Sequence, residues 1–254
     1  AVIAIAGDVD PKIIHEKVLN YFGDIPSGPT IVRKEVDVPV HNGDTYQVYE
    51  DRVPESRIVM AWDTPAFGDK EDVHFDLIAA VLSSGKNSRL YKKLVYDMQI
   101  ASSVNAFEFS KEIASNFVVQ TNVKPGKDVK EVERIVLAEI RNLIDNGPTE
   151  EELKRVKASY FAGFIKGLER IGGFGGVSDI LASNQTYFGD ASYYKTVLKF
   201  AEEATVEDLT NTMQKWLNRG KHTIVCNPFP EYSVTESSVD RSNIPALGPQ
   251  KAAS

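Results

Sequence analysis

The strongest constraint on the fold is a change of hydrophobic period within residues 84–109, SGKNSRLYKKLVYDMQIASSVNAFEF. Gly85 opens a turn, after which Leu90, Leu94 and Met98 recur at helical spacing. Past Gln99, Val104, Ala106 and the ring of Phe107 or Phe109 alternate with polar neighbours, as a half-buried strand requires. The segment therefore encodes a helix followed directly by a strand.

The same reading extends along the chain. Residues 2–6 are β-branched and Ala-rich and predict a strand, after which Asp10 caps a helix that has Pro11 at its first position. Ile13, Ile14, Val18, Leu19 and Phe22 form the apolar face of that helix. The Pro- and Gly-rich stretch that follows is a linker by composition. TYQVYE and RIVMAWDTP predict a strand pair, 70–83 a helix, 116–123 a strand and 127–146 a long amphipathic helix stopped by Asn146-Gly147-Pro148. Thr149 and Glu152 form a capping box, Thr205 caps a further helix, and HTIVC closes the fold as a strand. That order argues for an α+β fold of two layers, with helices packed on one face of a mainly antiparallel sheet. The expected divisions are 1–22, a linker over 23–44, a domain over 45–227 and a connector or tail over 228–254.

Composition removes several function classes. With 254 residues, 42% hydrophobic and 26% charged, the chain can bury one large core. A net charge of -7 opposes nucleic acid, which needs a basic stripe. The cluster of Arg89, Lys92 and Lys93 reads as a solvated helix face. The single cysteine, Cys226, excludes an internal disulfide and a cysteine zinc cage, and its apolar setting makes it a small buried hydrophobe. No apolar run reaches the roughly 18 to 20 residues of a membrane helix. The start at AVIAIAG, with no charged leader, suggests a fragment or a processed segment.

Three stretches carry a resemblance to a known family. Gly85, Ser88, Arg89, Leu90, Tyr91 and Leu94 match the G-x-x-S-R-L-Y-x-x-L helix start in the second domain of the pitrilysin/insulinase (M16) zinc peptidases. The opening AVIAIAGDVDPKIIHEKVLNYFGDIPSGP resembles the closing strand and helix of that family's first, metal-bearing domain, and TEEELKRVKASYFAGF is similar to a later helix. The resemblance covers most of residues 1–227. It implies a LuxS/mitochondrial-processing-peptidase-like metallohydrolase fold, zinc held by an upstream domain of the same protein, and peptide substrates in a chamber between the two. Residues 1–22 would close the preceding zinc domain, and 45–227 would be the second-type domain.

The chemistry of cleavage is missing from this segment. Zinc hydrolysis needs two imidazoles on one helix face with carboxylates beside them, and the resemblance implies an inverted His-x-x-Glu-His motif. His15, His41, His74 and His222 are too widely spaced for any two to share a helical turn, and HEKVL has Leu19 where a second ligand would stand. No metal ligand and no catalytic residue is therefore assigned. The resemblance also implies an Arg and a Tyr, seven residues apart, that hold the substrate carbonyl; alignment of YKKLVYDMQIASSV puts Val95 and Ser102 at those positions. Val has no donor and the Ser hydroxyl is too short to replace a phenol. Arg89 and Tyr96 are also seven apart, but out of that register.

Other patterns fail on spacing. LSSGKNS departs from a phosphate loop at Ala80 and Asn87, and 172–176, GGFGG, follows a helix and reads as a flexible break. Glu150, Glu151 and Glu152 suit a helix N-terminus without any catalytic role. The expectation is the non-catalytic half of a zinc metallopeptidase, inactive alone; the alternative is a structural or assembly module of the same fold.

Overall fold

The computed structural model describes residues 1–230 apart from 31, 33–35, 39 and 42, so most of the expected tail lies outside the described residues. In chain order the elements are α1 Pro11–Phe22, β1 Thr45–Asp51, β2 Ser56–Thr64, α2 Lys70–Ser83, a π-helix Tyr91–Asp97, β3 Ala101–Phe109 and β4 Ser115–Val123, then α3 Val129–Asn146, α4 Glu150–Gly167, α5 Val177–Phe188, α6 Tyr194–Glu203, α7 Val206–Trp216 and β5 His222–Pro228.

Helix starts follow the caps written in the sequence. Asp10, Asp69 and Asp128 each accept from a first-turn N–H, while Thr149 with Glu152 and Thr205 with Asp208 form complete capping boxes. Each cap satisfies donors that a helix leaves unpaired, worth about 1 kcal/mol.

The sheet order is β1-β5-β2-β4-β3. β1 and β2, successive in sequence, are not neighbours: β5 enters between them, parallel to β1 and antiparallel to β2. The apolar run of β5 is thereby covered on both sides, and β1, rich in polar residues and exposed throughout, takes the edge. The remaining pairs are antiparallel, with Trp62 opposite Phe117.

One face of this sheet is covered by helices. Ile58, Met60 and Trp62 of β2, Phe117 and Val119 of β4 and Val225 of β5 join Phe75, Leu77 and Leu82 of α2 and Val136, Ile140 and Met213 of α3 and α7 in one core. Phe75 and Phe117 anchor it, with ring centroids 5.1 Å apart.

Four expectations are corrected. The helix after Gly85 is a π-helix: Leu90 and Leu94 are buried, but the wider turn rotates Met98 out to solvent, and Gln99 takes a positive φ of 53° to enter β3. Residues 2–6 form no strand, because no strand of the sheet lies alongside to pair with them. Cys226 is half-buried rather than buried, because it points away from the helical layer. Arg89 leaves the solvated face and turns inward to a carboxylate.

Candidate functional site

The face of the sheet opposite the helices has no layer over it among the described residues. Strand alternation puts Val59, Ala61 and Asp63 of β2, Asn116, Val118, Gln120 and Asn122 of β4, and His222 and Ile224 of β5 on this face, all half-buried. Phe107 and Phe109 of β3 stand out from it, 41% and 57% exposed. The result is a broad surface of small apolar groups, two aromatic rings and the three carboxamides of Asn116, Gln120 and Asn122. It can accept a polypeptide through backbone hydrogen bonds and shallow apolar contacts.

Strand addition at the β3 edge is less well provided for. Ser83, at the end of α2, accepts from the Ala106 N–H at 2.7 Å and donates to the Ala106 carbonyl at 3.3 Å, so the middle of that edge is already occupied. The opposite edge, β1, carries the exposed side chains of Tyr46, Val48 and Tyr49.

The fold joins two histidines that lie far apart in sequence. The Thr45 hydroxyl lies 2.5 Å from His222 Nδ1 and 3.4 Å from His41 Nε2. They line a cleft of about 350 Å³ with Asp63, Asn116 and Phe109. Among the described residues, however, no group of three or more His, Cys, Asp or Glu is placed to hold a metal ion. His74 is buried against the Thr212 hydroxyl at 2.7 Å, and burial pushes its pKa down. His15 lies on α1. This donor set does not fit a zinc ion.

Val95 and Ser102 are the two residues that the resemblance would align with an Arg and a Tyr. Val95 packs against the core from the π-helix. Ser102 is exposed at a register irregularity between Ala101 and Ser103, where its hydroxyl donates to Glu55 at 2.7 Å. Tyr96 is 69% exposed. Arg89 instead grips Glu152 through two bonds of 2.7 Å and donates to the Gly147 carbonyl at 3.2 Å, with Glu139 at 3.8 Å. Gly147 has φ 70°, and a Cβ there would run into Thr210. Arg89 thus ties the π-helix to the α3–α4 corner, and its hydrogen bonds hold the Glu152 carboxyl down at about 2.

A set of carboxyls lies on the helical side. Asp72 accepts from the Gly68 N–H at 3.0 Å and the Ser110 hydroxyl at 2.8 Å, and Thr64 donates to Glu108. Burial, with Asp72 adding repulsion, pushes Asp76 up to about 7, and burial pushes Glu108 up to about 8. Burial raises Tyr160, with the charges of Asp76 and Asp72 adding to it. These residues carried no sequence signal, because each comes from an ordinary amphipathic element.

Residues 1–160 match the family described as the peptidase M16 inactive domain. The chain belongs to that family. A zinc protease, PqqE, of Helicobacter pylori is 25% identical over 232 residues, which are 89% of this chain and 50% of that protein. This M16 chain thus spans about half the length of the curated relative it matches. A protease structure from Helicobacter pylori superposes with a TM-score of 0.77 at 21% identity, covering 88% of this chain and 54% of the other. A peptidase M16 inactive domain from Pseudomonas fluorescens gives 0.72 at 18% identity, covering 88% and 52%. The α+β sheet with helices is the fold these M16 structures share. No helix among the described residues is long and apolar enough to cross a membrane.

Proposed function

We propose that this chain is the non-catalytic half of an M16-type zinc metallopeptidase, and that the open face of its sheet walls a peptide-binding chamber opposite a zinc domain encoded upstream. The observation that carries this reading is the uncovered face, with its mixture of carboxamides, small apolar side chains and the rings of Phe107 and Phe109. Such a surface offers an extended peptide many weak, sequence-tolerant contacts. The occupied β3 edge favours contact through the face over strand addition there.

Residues 1–22 belong, in the same proposal, to the preceding zinc domain. α1 buries none of its residues in this chain, and Ile13, Leu19 and Phe22 are half or more exposed. An amphipathic helix of that kind needs a partner for its apolar face.

The test compares the chain alone with the chain supplied with the upstream domain. Alone, it should not hydrolyse peptides with or without added zinc; with the upstream domain, zinc-dependent cleavage should appear. Zinc-dependent cleavage by the chain alone that disappears in His222→Ala would overturn the proposal. An upstream domain without an inverted zinc motif would favour the scaffold alternative.

A further inference from the structure

On the helical side of the sheet, away from the proposed chamber face, a cleft of about 390 Å³ opens between α3, the end of α7 and the chain entering β1 and β5. Its floor is apolar, with Trp62, Ile140 and Leu217 almost fully buried. Its rim holds Arg141, Arg219 and Lys221. From this arrangement we propose that the cleft binds a small oxyanion, a carboxylate or phosphate head group carried by a compact ligand.

The charge count favours an anion. Lys221 is neutralised by its ion pair with Asp44. Arg219 is held differently: its guanidinium carbon lies 4.0 Å from the centroid of the Trp216 ring, a cation–π contact that holds the side chain without pairing its charge to a carboxylate among the described residues. Arg141 donates to the Asn218 carboxamide at 2.9 Å, and Asp145 stands at 4.0 Å in a pair whose two side chains are both more than half exposed. A pair of that kind contributes little. Two guanidiniums therefore line one cleft, Arg219 stacked on Trp216 and Arg141 held by Asn218 with Asp145 beside it, in a chain whose net charge is -7. With Asp44 set against Lys221 and Asp145 beside Arg141, the net charge around the cleft is that of Arg219, and the carboxyl end of α7 offsets only roughly half a charge of it.

The chemistry of the ligand follows from the donors. A guanidinium presents five N–H groups in a planar fork that matches carboxylate or phosphate oxygens, and Asn218 occupies only one N–H group of Arg141 among the described residues. The volume lies in the range of small-ligand sites. The apolar floor suits a short hydrocarbon body behind the charged head.

Both tryptophans of the chain report on this site, Trp62 from the floor and Trp216 from beneath Arg219. Inorganic phosphate and 3-phenylpropionate are titrated separately into the 254-residue chain at constant ionic strength, with intrinsic fluorescence as the readout. At least one should give a saturable change; the tighter of the two tells whether the head is phosphate or an apolar carboxylate. Arg219→Gln should weaken binding about tenfold and Arg141→Gln several-fold. If Arg219→Gln fails to fold, Arg141→Gln decides, because its side chain is 61% exposed and contributes nothing to the core. No saturable change with either probe, or equal binding by the parent and the folded variants, would overturn the proposal. Neither outcome touches the chamber-wall reading, which rests on the other face.

Discussion

The two faces of the sheet are built from the same strands yet face opposite requirements. Towards the helices, Ile58, Met60, Phe117 and Val119 are close to fully buried, and the few charged groups beneath that layer are forced into pairs or held towards neutrality. Towards the open side, the alternate residues Val59, Ala61, Val118 and Gln120 stay half-accessible. The difference teaches that stability resides on one side and accessible surface on the other, so adjacent residues of a single strand should respond to mutation in different ways.

The largest contrast is expected between Phe117 and Val118. Phe117→Ala removes a buried ring packed on Phe75 and Trp62 and should cost about 3–5 kcal/mol. Val118→Ala, one residue on, should cost under about 1 kcal/mol. Denaturant unfolding of both variants checks this, and equal losses would break the distinction between the faces. Next in size is the Arg89–Glu152 pair. Removing Glu152 takes away a capping-box acceptor of α4 and leaves Arg89 only the longer ion pair with Glu139, while removing Arg89 leaves the partly buried Glu152 carboxylate without its cation, each for a loss of about 3 kcal/mol. The double variant should recover part of that in a double-mutant cycle.

The carboxyls on the helical side sharpen the comparison through pH. Asp76 and Glu108 bind protons more tightly folded than unfolded, so their contribution is fully present below about pH 4 and is lost as pH rises towards about 7 and 8. Glu152 works the other way: its contribution is present above the ordinary carboxylate range and is lost as pH falls towards about 2. Stability should thus be greatest in mildly acidic solution. Asp76→Asn should raise the melting temperature at pH 8 by about 3 °C or more, with a gain that grows from about pH 4 to about pH 7. A flat difference across that range would show that Asp76 ionises as freely in the folded chain as in the unfolded one.

How much of this was legible in the sequence depends on distance along the chain. Thr149, Glu152 and Thr205 announced their helix starts, and 116–123 read as a strand, because those signals are local. The insertion of β5 between β1 and β2 was not legible, since it reflects a competition among strands for the most protected position. The π-turn was hidden because Leu90 and Leu94 satisfy an α-helical pattern equally well. The meeting of His41 with His222 and that of Arg89 with Glu152 depend on contacts 177 and 63 residues apart through Thr45 and the α3–α4 corner. Spacing rules address a single turn of helix and are blind to such pairs.

The smallest effect on stability, and the most informative for function, is expected at Phe109. Its ring is 57% exposed on the open face, with Lys111 Nζ 4.8 Å from the centroid, and it adds nothing to the buried core. Phe109→Ala should change unfolding free energy by under about 0.5 kcal/mol, as surface substitutions do. If the open face receives peptide, the same change should weaken binding of an extended, unstructured peptide several-fold, measured by fluorescence anisotropy of a labelled peptide, because an exposed aromatic at a peptide surface is a typical energetic anchor. Unchanged binding together with unchanged stability would leave Phe109 without a role on that face and would move the peptide contact elsewhere, with the exposed β1 edge the next place to probe.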